Sequence, residues 1–330
     1  MNKKVAIVGA TGMVGRMMLK VLEERNFPIE KLFLFASARS AGSTMRFRGA
    51  DHTVRELDEA SIEAAKVDYA IFSAGSDVSK RFAPIFARCG GVAIDNSSYW
   101  RMDKAVPLVV PEVNPEAAFT HRGIIANPNC STIQAVVALK PLHDAFKIKR
   151  IVYSTYQAVS GAGRGGYDDL RNGITGTPPA KFPHPIAFNV IPHIDAFQAD
   201  GYTKEESKMI NETRKILGDD GLRITATTAR VPVYYGHSES INIECEKPIT
   251  RAAATEVLRA AAGVVVCDDT DNNVYPMPLD AEGRDEVFVG RIREDRSVEH
   301  GLNIWVVADN IRKGAASNAV QIAELLNSRG

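Results

Sequence analysis

The sequence predicts an α/β protein in two parts: a Rossmann-like, doubly wound dinucleotide-binding domain, then an α+β domain built on a mixed sheet. Three observations carry this. The chain opens on a short apolar run that ends in a glycine turn; similar runs alternate with helical spacing as far as Cys130; beyond it the pattern changes to longer alternating segments. A length of 330 residues leaves room for about two domains at roughly 150 residues each.

Val5-Ala6-Ile7-Val8 has the makeup of a strand buried in a parallel sheet. Gly9-Ala10-Thr11-Gly12-Met13-Val14-Gly15 follows, and Met17, Met18, Val21 and Leu22 then recur at helical spacing. Strand, tight turn and helix in that order bring backbone close to a pyrophosphate and aim a helix N-terminus at it. Gly9, Thr11, Gly12, Met13, Val14 and Gly15 are therefore candidate cofactor contacts. The spacing is GxxGxxG rather than GxGxxG, so a turn that merely connects is the other reading. Phe33–Ala36 forms a second strand, after which Ser37-Ala38-Arg39-Ser40 stands where an NAD-binding protein carries an acidic residue for the ribose hydroxyls. Arg39 and Ser40 suit a 2′-phosphate and favour NADP over NAD; Arg39 as a solvated loop residue is the alternative.

Tyr69–Ala74 and Val92–Asp95 continue the strand rhythm around a helix near Ser79–Arg88, and Gly123–Ala126 supplies a last strand before Asn127-Pro128-Asn129-Cys130. In the second part, Arg150–Val159, Thr225–Val233, Ser240–Glu244 and Asn303–Ala308 read as strands. Pro178, Pro179, Pro183, Pro185 and Pro192 mark an ordered excursion between them. Helical spacing at Ala316, Val320, Ala323 and Leu326 predicts a C-terminal helix that returns to the first domain. The expected division is 1–130 with 312–330 as the NADP-binding domain and 131–311 as the catalytic and dimerisation domain.

Composition narrows the partners. Lys+Arg 40 balances Asp+Glu 40, so no overall field draws the chain to nucleic acid or to an anionic membrane, and a small molecule is the expected partner. Cys89, Cys130, Cys245 and Cys267 show no metal-ligand spacing, no metal site is expected, and reduced thiols without a signal peptide suggest a cytoplasmic protein. The longest apolar stretch, Ala260–Cys267, is far short of the roughly 18 residues of a membrane span.

Of the four cysteines, Cys130 stands apart, because Asn127-Pro128-Asn129-Cys130-Ser131-Thr132 runs directly into a helical pattern at Ile133, Val136 and Val137. A thiolate at a helix start is stabilised by the dipole and open N–H groups, and those groups can also face an oxyanion. A nucleophilic cysteine needs a proton-transfer partner nearby in space. Among seven histidines His237 is best placed, in Arg230-Val231-Pro232-Val233-Tyr234-Tyr235-Gly236-His237-Ser238, where a strand end and glycine turn can project a side chain. Taken by itself, a loop histidine is more often solvated than catalytic.

From Val5 to Leu326 the chain resembles the bacterial aspartate-semialdehyde dehydrogenase family. The resemblance rests on Gly9–Gly15, Pro128-Asn129-Cys130-Ser131-Thr132, Gln157-Ala158-Val159-Ser160-Gly161-Ala162-Gly163, Arg230-Val231-Pro232-Val233 with Gly236-His237-Ser238, and Asp309-Asn310 before Lys313-Gly314-Ala315-Ala316. It implies a homodimeric, NADPH-dependent enzyme converting L-aspartyl 4-phosphate to L-aspartate 4-semialdehyde, toward diaminopimelate, lysine, methionine and threonine. By resemblance Cys130 is the nucleophile, His237 the general acid/base, and Gln157 orients the substrate carbonyl. Arg230 grips the α-carboxylate, Glu205 meets the substrate ammonium, Lys208 and Arg101 hold phosphate, and Ser160, Gly161 and Asn310 contact the cofactor. Without the family, Glu205 and Lys208 read as a surface ion pair at i, i+3. The competing readings are an N-acetyl-γ-glutamyl-phosphate reductase, whose cysteine usually sits in Gly-Cys-Tyr-Pro, a more distant glyceraldehyde-3-phosphate dehydrogenase, and a non-catalytic NADP-sensing protein.

Overall fold

The computed structural model describes residues 1–329 and divides into two compact units: Met1–Asn129 together with the C-terminal stretch from Ala315, and Cys130–Gly314.

The first unit is a seven-stranded sheet in chain order β1 (Lys3–Val8), β2 (Ile29–Ala36), β3 (Thr44–Phe47), β4 (Ala50–Glu56), β5 (Tyr69–Phe72), β6 (Val92–Asp95) and β7 (Ile124–Ala126). Its helices are α1 (Met13–Glu24), α2 (Glu59–Ala65) and α3 (Ser76–Arg88). The spatial order is β3-β4-β2-β1-β5-β6-β7, parallel throughout except for the β3–β4 hairpin. Because the chain leaves β1 for β2 on one side and reaches β5 on the other, the strand order reverses at β1, the crevice where such sheets take ligands. β1 and β5 read as unbroken apolar runs because both faces of a parallel sheet are covered, and Val5, Ala6, Ile7 and Val8 are all fully buried.

The second unit begins with α4 (Cys130–Phe146), followed by β8 (Ile148–Gln157), α5 (Gly163–Gly173), α6 (Lys204–Leu217), β9 (Arg223–Arg230), β10 (His237–Cys245), α7 (Arg251–Arg259), β11 (Val264–Val266), α8 (Pro278–Ala281), β12 (Val287–Asp295) and β13 (Gly301–Ala308). The sheet order is β11-β12-β13-β10-β8-β9; β8–β9 and β11–β12 pair in parallel and the others antiparallel, which makes it mixed. Alternation sorts β8 cleanly. Ile151, Tyr153, Thr155 and Gln157 turn toward the helical layer, where the buried Tyr153 hydroxyl meets Thr213 Oγ1 of α6 at 3.1 Å, while Tyr156 lies on the opposite, partly exposed face against Trp305. α4 is apolar nearly all round and correspondingly buried, with Ile133, Ala135, Val136, Ala138, Leu139 and Leu142 at 0% exposure.

A turn of π-helix at Arg312–Ser317 leads into α9 (Asn318–Arg329), whose Ala319, Val320, Ile322 and Ala323 join Val5, Ile7, Leu22 and Ile71 in the core of the first unit. Regular α-helix starts at Asn318, two residues after Ala316, where the helical spacing begins. Four strands were not expected at all. β3 and β4 form an edge hairpin with mostly solvated side chains, β11 is only three residues long, and β12 loses its alternation where Arg291 takes a left-handed backbone within a register shift. The helix expected from Ser79 starts at Ser76, directly after Gly75. No helix among the described residues is long and apolar enough to cross a membrane.

Candidate active site

Cys130 is the first residue of α4, so the thiol stands at the positive end of a 17-residue helix whose first turn holds no acidic residue. It is half-buried, and its Sγ lies 3.2 Å from His237 Nε2. His237 opens β10 and is fully buried. Burial, together with the neighbouring Arg230 charge, holds its pKa well below the ordinary imidazole value. The other ring nitrogen, Nδ1, accepts the main-chain N–H of Ala158 at 3.0 Å, and Gln134 Nε2 donates to the His237 carbonyl at 3.2 Å, tying α4 to β10.

Ala158 serves a second partner. Its carbonyl accepts from Arg230 Nη1 at 2.8 Å, which orients the guanidinium at the end of β9. Arg230 is 6% exposed, its buried Nε has no hydrogen-bond partner, and the Phe182 ring lies 5.8 Å from its Cζ. Burial lowers its pKa, opposed by Glu205 and Cys130. A side chain at Gly161 would bring a Cβ to 2.9 Å from Arg230 Nη1 and 3.3 Å from His237 Cε1, and one at Gly314 would bring a Cβ to 2.8 Å from Cys130 Cβ. Both glycines are places where backbone must pass close to the reactive groups.

Next to these, Gln157 Nε2 donates to Glu205 Oε1 at 3.3 Å and to Thr155 Oγ1 at 3.4 Å. Glu205 stands in the first turn of α6, which a Thr203–Glu206 capping box fixes. Lys208 Nζ reaches Glu205 Oε2 at 3.2 Å and Asp195 Oδ2 at 2.7 Å. Burial opposes the Lys208 charge, but the two carboxylates outweigh it and raise its pKa. The cluster thus offers a thiol, an imidazole, an amide, two cations and two carboxylates. Such a set can hold a small molecule carrying both signs of charge while sulfur attacks it.

Cys130, His237, Gln157, Arg230, Glu205 and Lys208 belong to this one constellation in the second unit. Ser160, Gly161 and Asn310 adjoin it: Asn310 Oδ1 accepts the Gly236 N–H at 3.0 Å and its Nδ2 meets Ser160 Oγ at 3.0 Å, bracing the turn that delivers His237. Arg101 belongs to the first unit, 7% exposed, donating to the carbonyls of Asn127 at 3.0 Å and Asn96 at 2.9 Å. Asp195, the Ala158 peptide and Gly314 were not anticipated from sequence. None of these carries a residue type or spacing that singles it out in the sequence.

In the first unit, Gly9 has a positive φ of 80° and Ser73 Oγ donates to its carbonyl at 3.0 Å. A Cβ on Gly15 would lie 2.3 Å from the Gly9 carbonyl oxygen. The turn is therefore drawn tight, and α1 starts at Met13 with Gly12 as an N-cap that offers no side-chain bond, which leaves its first-turn N–H groups for a ligand or water. Arg39 is exposed in a short 3₁₀ turn, Ala38–Ser40, just beyond β2. A dinucleotide phosphate fits this arrangement. Among the described residues no group of three or more His, Cys, Asp or Glu could hold a metal ion.

Two family models match the chain: "Semialdehyde dehydrogenase, NAD binding domain" over residues 4–121 and "Semialdehyde dehydrogenase, dimerisation domain" over residues 139–313. The aspartate-semialdehyde dehydrogenase of Aquifex aeolicus is 60% identical, with 100% of this chain and 99% of that protein covered. The crystal structure of Vibrio cholerae aspartate semialdehyde dehydrogenase II complexed with ASA superposes with a TM-score of 0.94 at 49% identity, covering 99% of both chains. The Candida albicans aspartate semialdehyde dehydrogenase with NADP gives a TM-score of 0.76 at 27% identity, again covering 99% of each. Fold, site and these likenesses converge: the chain belongs to the aspartate-semialdehyde dehydrogenase family.

Proposed function

We propose that the chain catalyses the NADPH-dependent reductive dephosphorylation of L-aspartyl 4-phosphate to L-aspartate 4-semialdehyde, as a cytoplasmic homodimer. The observation that carries this reading is the contact between Cys130 at the start of α4 and His237 at the start of β10, with the Arg230 charge interacting with both Cys130 and Glu205, and Glu205 paired to Lys208.

Cys130 attacks the acyl-phosphate carbonyl, phosphate departs, and a thioester remains on sulfur. The Arg230 fork, with Nε still unpartnered, receives the substrate α-carboxylate. Glu205 receives the α-ammonium, and Gln157, whose amide already bonds Glu205, orients the carbonyl. Lys208 and Arg101 neutralise the departing phosphate. His237 faces both the sulfur and the oxygen that develops charge, as acid/base partner. NADPH, when bound, supplies hydride to the thioester carbon. Gly9, Thr11, Gly12, Met13, Val14 and Gly15 would cradle its pyrophosphate and Arg39 with Ser40 its 2′-phosphate. Ser160, Gly161 and Asn310 would also serve the cofactor, Asn310 mainly through the Gly236 turn that it already braces.

The test is phosphate-dependent NADP reduction with L-aspartate semialdehyde, N-acetylglutamate semialdehyde and glyceraldehyde 3-phosphate. Turnover with the first alone, abolished in Cys130→Ser while NADPH still binds, is expected. Turnover only with the second or third overturns the substrate, and no turnover with any of them favours the sensing reading.

A further inference from the structure

We infer that Asn318, the first residue of α9, is a positioning residue for the phosphate subsite: through Asn127 and Asn96 it fixes the two main-chain carbonyls that hold the Arg101 guanidinium. The inference rests on the proposed function for the role of Arg101, and it adds to that role a part for the C-terminal helix.

Four side chains carry the argument, all within the first unit. Arg101 donates through Nε to the Asn127 carbonyl at 3.0 Å and through Nη2 to the Asn96 carbonyl at 2.9 Å. Nε and Nη2 share one edge of the planar fork, so two acceptors on that edge set the plane and the direction of the whole group. Both carbonyls belong to asparagines whose side chains are joined, Asn127 Nδ2 donating to Asn96 Oδ1 at 2.8 Å. Asn318 Nδ2 in turn donates to Asn127 Oδ1 at 2.7 Å and to the Val109 carbonyl at 3.0 Å.

The direction of this relay is fixed at two points. The Val109 carbonyl can only accept, so Asn318 must turn its NH2 toward it. The same NH2 faces Asn127, which answers with its oxygen and turns its own NH2 to Asn96 and to the Ala315 carbonyl, 3.4 Å away. Turning either amide over would set two acceptors against one another, Asn318 at Val109 and Asn127 at Ala315. Asn127 and Asn318 are both 0% exposed, so no solvent would relieve such a clash. A buried amide pair satisfied in one orientation only is stiff as well as satisfied. The surroundings do not call for it, since Ala316, Ala319, Val320 and Ile322 around Asn318 belong to the apolar core.

The course of the loop that carries Arg101 is held by other bonds. Asp95 Oδ2 accepts from Ser97 Oγ at 2.6 Å and Trp100 Nε1 donates to Ser79 Oγ at 3.1 Å, which ties the loop to β6 and α3. Neither of these bonds touches the carbonyls of Asn96 and Asn127. With the Asn318 amide removed, Asn127 Oδ1 loses a buried donor and the Asn127 side chain is released to turn, so the grip on the guanidinium slackens while the loop keeps its path. Phosphate is the one ligand assigned to Arg101, and its binding is therefore the one that weakens.

The experiment is a titration of inorganic phosphate against the full chain, read as the KM for phosphate in NADP reduction with L-aspartate semialdehyde and, without turnover, as the apparent Kd from the rise of Tm with phosphate. Asn318→Leu, close in size but without a donor, should raise both about 3- to 10-fold and leave the KM values for semialdehyde and NADP within about twofold of the parent. Val320→Ala, which opens the core beside the same residue, should lower Tm without that split. Unchanged phosphate values in Asn318→Leu, all three KM values rising together, or the same split in Val320→Ala overturns the proposal. If Asn318→Leu does not fold, Asn318→Ser, whose single hydroxyl cannot make both bonds, is held to the same outcomes. Arg101→Gln separates the two levels. Unchanged phosphate values there refute the phosphate role of Arg101 and the proposal with it, whereas values raised there but unchanged in Asn318→Leu leave the functional reading standing and refute the positioning role alone. If the chain does not turn over the semialdehyde, the functional reading falls and the Tm titration still decides whether Asn318 governs phosphate binding.

Discussion

A methyl group added at Gly314 tests how closely the nucleophile is held. In Gly314→Ala the new Cβ would lie 2.8 Å from Cys130 Cβ and 3.2 Å from its Cα, whereas ordinary contact begins at 3.4 Å, so something must move by at least 3.4 − 2.8 = 0.6 Å. α4 cannot readily yield, being buried nearly all round and tied to β10 through Gln134. The displacement therefore falls on the Cys130 side chain and on the strap around Gly314. If sulfur takes all of it along the bond, the Sγ–Nε2 separation grows from 3.2 Å by 0.6 Å, toward the outer limit for a hydrogen bond to sulfur, and the bond is weakened. A hydrogen bond to a charged group contributes about 1.5–3 kcal/mol, so complete loss would correspond to about a 10- to 150-fold fall in kcat, and a stretched bond to part of that. The assay is steady-state NADP reduction with L-aspartate semialdehyde, with circular dichroism to show a retained fold and iodoacetamide to report sulfur reactivity. A kcat within twofold of the parent, at an unchanged alkylation rate, would show that the glycine is not needed for positioning.

Arg230→Lys removes both the planar fork and the bond to the Ala158 carbonyl; it should raise KM for the semialdehyde at least about tenfold with a smaller change in kcat, and parental kinetics would refute the carboxylate role. Glu239→Gln addresses the buried acid on β10. Burial, and then Glu205, raise the Glu239 pKa above 4.5, so the folded chain retains a proton that the unfolded chain releases. That contribution to stability is complete below the unfolded pKa and is lost as pH rises toward the folded one, whereas glutamine has no proton to release. Thermal melts should accordingly show the Tm of Glu239→Gln gaining on the parent between pH 5 and pH 8, and a difference independent of pH would show that Glu239 ionises in the fold as it does in water.

The parts of the fold that announced themselves are those where burial imposes a pattern. β1 and β5 are apolar runs because a parallel sheet is covered on both faces, and α4, after a polar Asn-Pro-Asn lead, carries Ile133 and the apolar run Ala135–Leu139. The β3–β4 edge hairpin escaped because one covered face and few partners leave Thr-Met-Arg-Phe with little to distinguish it from a loop. The same contrast runs through the site. Cys130, His237 and Arg230 are legible since their side chains carry the chemistry. Ala158 acts through its peptide group, which every residue but proline possesses, and Gly314 through the absence of a side chain, so residue type alone says nothing of either. Asp195 reaches Lys208 from an irregular stretch, with a φ of 67°, that no periodicity could align with α6.

The division of the chain also bears on its synthesis. Cys130–Gly314 is a continuous segment, able to collapse once its own last strand has left the ribosome. The dinucleotide-binding unit has no such freedom, since Ala316, Ala319, Val320, Ile322 and Ala323 complete a core begun by Val5 and Ile7 some three hundred positions earlier. Its apolar sheet face must wait, solvated or chaperoned, until α9 has been synthesised, so truncations within α9 should damage a unit whose first strand was made long before.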